Sequence, residues 1–166
     1  MFRWYRMLSV AILCLMTCVP VDAENWSGWR GERGDGTSLE KNVPTDWDGK
    51  SGRNVRWKTA IPGTGYSSPI VHGDHIFLTS CNESEQTRLL HCLDRRSGSV
   101  LWTREVLHSP LEGVHKLNGR ASGTPATDGE LVYVTFFRTD ATSGERGEPG
   151  EMLVGAYDYQ GQQRWL

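Results

Sequence analysis

From Asn54 onward the chain breaks into short runs rich in β-branched and aromatic residues, separated by Gly, Pro and Asp. None of the runs is long enough to show a helical face. Each is instead bounded by a turn signal: His72-Gly73-Asp74, Ser97-Gly98, Asp128-Gly129 and Gln160-Gly161. Short β-rich runs with Gly punctuation are the signature of hairpins. The pattern predicts strands over Asn54–Lys58, Ser67–Val71, His75–Cys81, Leu89–Asp94 and Val100–Val106. A second round follows over Ala121–Thr127, Leu131–Phe137, Met152–Asp158 and Gln163–Leu166.

The two rounds align with each other. Ser68-Pro69 matches Thr124-Pro125, and Gly73 matches Gly129, both at an offset of 56 residues. Asp94 matches Asp158 at 64, and Trp102 matches Trp165 at 63, because the loop Arg138–Glu151 is longer than its counterpart around Asn82–Arg88. Each round therefore reads as a four-stranded antiparallel meander, with strands A to D. One such sheet cannot bury both faces, and stacking several around an axis solves this as a β-propeller. Trp57 precedes Trp102 by 45 residues, close to the ~40–45 residues of a compact blade. Residues 54–58 are thus expected to close the ring as a strand of another blade.

The stretch Cys92-x-Asp94-x-x-Ser97-Gly98-x-x-x-Trp102 resembles the tryptophan-docking repeat of the pyrroloquinoline-quinone-like (PQQ-like) β-propellers, A-x-D-x-x-T-G-x-x-x-W. The second copy keeps Ala156, Asp158, Gly161 and Trp165, with one residue fewer between Asp and Gly. The opening Trp26-Ser27-Gly28-Trp29-Arg30-Gly31 is similar to the leader of exported bacterial members. The resemblance covers residues 26–166 and implies an all-β propeller, of which about two blades and a ring-closing strand are present. Asp94, Gly98, Trp102, Asp158, Gly161, Trp165 and Trp57 are then structural. Asp accepts N–H groups inside the turn, Gly supplies positive φ, and the indole covers the joint between blades.

The N-terminus changes the picture of where the protein works. Arg3 and Arg6 precede an apolar run, Met7–Val19, and Val21-Asp22-Ala23 fits a cleavage site after Ala23. Residues 1–23 are expected to be a signal peptide that sends the chain to the periplasm or cell envelope. An uncleaved anchor is the alternative, against which the run falls short of the ~20 residues that span a bilayer. Leu15-Met16-Thr17-Cys18 is a loose lipobox. The mature chain then has no stable transmembrane segment. Residues 24–53 read as a strap pinned by Trp26, Trp29 and Trp47, and residues 54–166 as the partial propeller, with blades at 66–106 and 121–166. Chain termination just after Trp165 raises the expectation of an N-terminal fragment of a longer ring.

Composition narrows the chemistry. Eighteen basic and twenty acidic residues form no basic stripe, so nucleic acid is not an expected partner. Of four cysteines, Cys81 and Cys92 survive signal removal; in an oxidising compartment they either pair as a disulfide or remain two free thiols. No catalytic signature occurs, and no metal set is expected: His72 and His75 flank a turn without a third ligand. Arg33-Gly34-Asp35 is an adhesion tripeptide elsewhere and an ordinary loop here. Gly144–Gly150 mimics collagen triplets over too short a length.

Topology supplies a further expectation. The long segments, the D–A link Val106–Arg120 and the B–C loop Arg138–Glu151, emerge at the same end of the blades, and function concentrates on loops held by a rigid scaffold. His115, Lys116, Asn118 and Arg120 are the expected ligand-facing residues; the alternative is that they only hydrate the link. The expected function is an exported, non-enzymatic binding or scaffold module for a protein, peptide or glycan, with no cofactor. The alternative is a fragment of a PQQ-dependent dehydrogenase carrying quinone and calcium. A gene fragment without independent function is a third reading.

Overall fold

A computed structural model describes residues 23–140, 142, 146–147 and 149–166. The expected signal peptide, apart from Ala23, and residues 144, 145 and 148 of the collagen-like stretch lie outside the described residues. The described chain contains eight strands and no helix: β1 (Ile70–His72), β2 (His75–Asn82), β3 (Thr87–Asp94), β4 (Val100–His108), β5 (Ala126–Thr127), β6 (Leu131–Arg138), β7 (Glu151–Asp158) and β8 (Gln163–Trp165). They form two antiparallel meanders, β1-β2-β3-β4 and β5-β6-β7-β8. The fold is all-β, and the two sheets are unclosed blades of a β-propeller.

The blades stack face to face over a shared core. Directly paired residues lie on one face of a sheet, so Phe77, Cys92 and Trp102 point together toward the second blade. Val132, Val134 and Phe136 are buried beneath them. The first strands are laced together across the joint. Tyr66 and Ser67 donate their N–H groups to the Ala121 carbonyl, and Ser68 N–H donates to Thr124 Oγ1.

Several sequence expectations are corrected. The inner strands are shorter than the apolar runs: β1 starts at Ile70 and β5 at Ala126, because the Ser67 and Ser68 N–H groups and the Gly123 carbonyl are bonded across the joint between the blades. Residues 54–58 form no strand, and Trp57 docks without a ladder. Cys81 and Cys92 are free and buried. Cys92 faces Phe77 while Cys81 faces Arg88. The two cysteines are thus four strand positions apart, about 13 Å at 3.3–3.4 Å per residue, beyond the ~7 Å reach of a disulfide.

The strap is held by fewer rings than expected. Trp26 pairs with Val71 through two main-chain hydrogen bonds, and Ser27 accepts from Thr127 N–H. Trp29 and Trp47 are 64% and 69% exposed. Glu24 ties the strap to itself: it accepts from Arg33, Ser38 and Leu39, which hold its carboxyl at about 2, well below the usual range. Arg33 of the adhesion-like tripeptide is therefore committed to an intramolecular ion pair.

Candidate functional site

The repeat residues build two copies of one latch. Asp94 Oδ1 accepts from Arg96 N–H, Ser97 N–H and the Ser97 hydroxyl, closing the turn that leads to Gly98. These bonds, the Ser97 side chain first, lower the Asp94 pKa. Trp57 lies over Gly98 and donates its indole N–H to the Arg95 carbonyl at 3.0 Å. One repeat later Trp102 lies over Gly161 and donates to the Tyr159 carbonyl at 2.8 Å. The residue two after each Trp completes the grip: Thr59 Oγ1 donates to the Gly98 carbonyl, and Arg104 Nε to the Gly161 carbonyl. All of these groups are satisfied by the fold, and beside them a cleft of about 350 Å³ lies between the strap and the turns at Gly73, Asp74, Arg95 and Arg96.

A buried Ser80–His91–Thr103 chain looks superficially catalytic. Ser80 Oγ sits 2.8 Å from His91 Nε2, and Thr103 Oγ1 sits 2.9 Å from Nδ1. The Ser80 hydroxyl donates its only proton to the Pro62 carbonyl at 2.6 Å. Ser80 must then accept from His91 Nε2–H, which leaves Nδ1 to accept from Thr103. A histidine in that tautomer cannot take the serine proton, and burial lowers its pKa. The cluster is structural.

The opposite, loop-rich end holds a cleft of about 530 Å³ between the D–A link and the upper half of β6. Glu112, Asn118, Arg120, Thr135, Phe137 and Met152 contribute to its wall. Two arginines fix the link. Arg88, fully buried, donates to the carbonyls of Gln86, Ser109 and Pro110 and pairs with Glu112. Arg120 donates to the Glu112 carbonyl and to Glu83 of the β2–β3 loop, both at 2.9 Å. Pairing and carbonyl contacts of this kind are what make a buried guanidinium tolerable. Arg88 Nε and Thr87 Oγ1 are buried without a hydrogen-bond partner among the described residues.

Of the four expected ligand-facing residues, Asn118 and Arg120 line the cleft. His115 and Lys116 are exposed on the link away from that lining, and His115 Nδ1 accepts from Leu117 N–H. Sequence reasoning missed Arg88, Glu112 and the β6 wall. His72 and His75 pack edge-on against Tyr159 in an aromatic cluster. Among the described residues no group of three or more His, Cys, Asp or Glu side chains converges.

No curated protein matches the chain significantly. Residues 40–165 match the model of a family described as "Outer membrane protein assembly factor BamB". That match takes in both blades, both latches and the cleft, and it covers most of the sequence: the protein belongs to this PQQ-like repeat family.

Proposed function

We propose that the protein is an exported binding and scaffold module of the cell envelope, and that it holds a protein partner at the loop-rich end of its blades. The observation that carries this reading is the asymmetry of the two ends. One end spends its polar groups on latches and holds a cleft of about 350 Å³, while the other presents a wider one of about 530 Å³ on an arginine-clamped link. Large concave sites with a few placed polar groups are where ligands bind. The family description, which names outer-membrane protein assembly, supports a protein partner over a peptide or glycan. Export rests on the N-terminal sequence, with cleavage after Ala23.

The test is site-specific photocross-linking in the native host. A photoreactive residue at position 118 is expected to give a discrete adduct, and one at position 74, on the latch end, none. Adducts from position 74 alone, or from neither, would overturn the reading. N-terminal sequencing of the envelope fraction is expected to begin at Glu24; a start at Met1 would remove the signal peptide from the proposal. Stoichiometric uptake of PQQ with Ca²⁺, accompanied by dye-linked alcohol or sugar oxidation, would replace the binding module with a quinoprotein.

A further inference from the structure

The two repeats treat the inner edge of their second strand differently. In the first blade the edge is closed beyond β1. Thr64 N–H donates to the Cys81 carbonyl at 2.9 Å, and Cys81 N–H donates back to Thr64 at 2.7 Å. Ser67 Oγ meets both main-chain groups of Thr79 at 3.2 Å. The 56-residue offset that aligns Ser68 with Thr124 puts Thr135 at the place of Thr79, Phe137 at Cys81, Gly123 at Ser67 and Arg120 at Thr64. Gly123 indeed runs beside Thr135, as a Cβ there would lie 2.7 Å from Thr135 Oγ1.

The rung at Phe137 is missing. β5 reaches only the Ala126–Tyr133 and Thr127–Val132 pairs. Among the described residues nothing pairs with the inward-facing N–H and C=O of Phe137. Strand geometry makes those groups face away from β7, since alternate residues of a strand bond to opposite neighbours. The chain that should supply the rung is held elsewhere. Arg120 is drawn toward the first blade by Glu112 and Glu83, and Gly119 sits against the Tyr66 ring. The cleft of about 530 Å³ occupies the place of the missing rung. Exposure of the Thr135 side chain reflects the uncovered face of the second sheet and carries no weight in this argument; the main-chain gap does.

We propose that this edge is a strand-addition site for an extended polypeptide segment. The guest's main chain pairs with Phe137 as Thr64 pairs with Cys81, and its apolar side chain enters the cleft against Phe137, Val114 and Met152. An unpaired sheet edge is a template for such pairing, and main-chain bonds with side-chain pockets are the general form of β-augmentation. Recognition is then governed by an extended backbone and one apolar residue, not by a charge pattern. The inference rests on the reading of the chain as a protein-binding module and gives that module its mode of recognition.

Amide hydrogen exchange on the full chain tests it, with a blocked peptide of the sequence Ile61–Ser67 as the probe. That segment already performs this pairing on the first blade. In the free protein the Phe137 amide is expected to exchange at least ~100-fold faster than the Cys81 amide, as open edges do relative to paired core strands. Saturating peptide should slow Phe137 by about tenfold or more and leave Cys81 unchanged. A peptide N-methylated at its threonine amide should lose the effect. Equal protection of Phe137 and Cys81 in the free chain, or no response to millimolar peptide, would overturn the proposal. If the peptide instead shifts the resonances of Asn118 and Arg120 without slowing Phe137, the binding module stands and strand addition fails.

Discussion

Replacing Gly161 by alanine tests the latch between the blades. Two costs add. Gly161 has φ +80°, where an L-residue is disfavoured by about 1–2 kcal/mol. The new Cβ would also lie 2.9 Å from Trp102 Cδ2, 3.1 Å from Cε2 and 3.0 Å from Arg104 Nε. Restoring an ordinary carbon contact moves the ring by roughly 0.7–0.9 Å. That breaks the 2.8 Å bond to the Tyr159 carbonyl, worth about 1 kcal/mol. A gap of that size also forfeits a quarter to a half of the ring's contacts, or roughly 0.5–1.5 kcal/mol of a large side chain's burial. The expected total is about 2.5–4.5 kcal/mol. Gly73 is the control: its φ is +55°, and a Cβ there meets nothing within 4 Å. Gly73→Ala should therefore cost only the backbone part, about 1–2 kcal/mol. Urea unfolding followed by far-UV circular dichroism measures both, with the slope checked for constancy. In a Trp102→Ala background the excess at Gly161 should fall to the small part that the flexible Arg104 side chain contributes. Equal costs at Gly73 and Gly161, or an excess undiminished by removal of Trp102, would refute the latch.

Three other expectations address groups away from that joint. Burial lowers the His91 pKa below its ordinary 6.5, so the unfolded chain binds the proton more readily. Stability is then full above pH 6.5 and falls as pH drops from there toward the folded-state pKa; His91→Gln should flatten that part of the curve, and an unchanged curve would contradict the assignment. Burial pushes the Cys92 thiol up to about 12 and raises Cys81 as well. Iodoacetamide at pH 8 should modify neither in the folded protein and both in urea, and a mass 2 Da low under non-reducing conditions, which would mean a disulfide, would contradict the free thiols. Glu112→Ala leaves the Arg88 guanidinium without its carboxylate. It should cost on the order of 3 kcal/mol and open the link to proteolysis between residues 109 and 120; an undiminished unfolding midpoint would show that the three carbonyls suffice.

The blades were legible because hairpin turns and strand periodicity are local. Gly98 and Gly161 mark their turns wherever the rest of the chain lies, and both have positive φ. What failed depended on neighbours at a distance. Ser67–Pro69 and Ala121–Pro125 read as strand by their position in an apolar run, but their polar groups bridge the blades and leave β1 and β5 short. Cys81 and Cys92 flank a hairpin in sequence, and only the register, with Cys92 opposite Phe77, separates them. Trp29 and Trp47 were expected to pin the strap because indoles favour burial, yet the strap bonds through the Trp26 and Ser27 backbones and Glu24. Of the cleft, Asn118 and Arg120 were visible as polar residues on a long link. Its other wall was not, because Phe137 enters it through a main-chain edge that no side-chain pattern reports.

The two ends of the blades differ in what a substitution can change without cost. At the latch end Asp158 shows how fully each group is committed. Burial would raise its pKa, but the N–H groups of Gln162 and Gln160 and the Arg164 guanidinium outweigh it. The neighbouring Tyr159 and Gly161 carbonyls are taken by Trp102 and Arg104. A change in this turn disturbs the contact between two blades, and leaving any of these groups buried and unpaired costs about 1–3 kcal/mol. At the other end the link is fixed at a few points, by Arg88 at Ser109 and Pro110 and by Arg120 at Glu112. Residues between those points, His115 to Asn118, are exposed. They can be exchanged without touching the core, while the arginines still hold the cleft's shape. A repeat that uses one end for assembly therefore leaves the other free to specialise, and the missing rung at Phe137 lies at that second end.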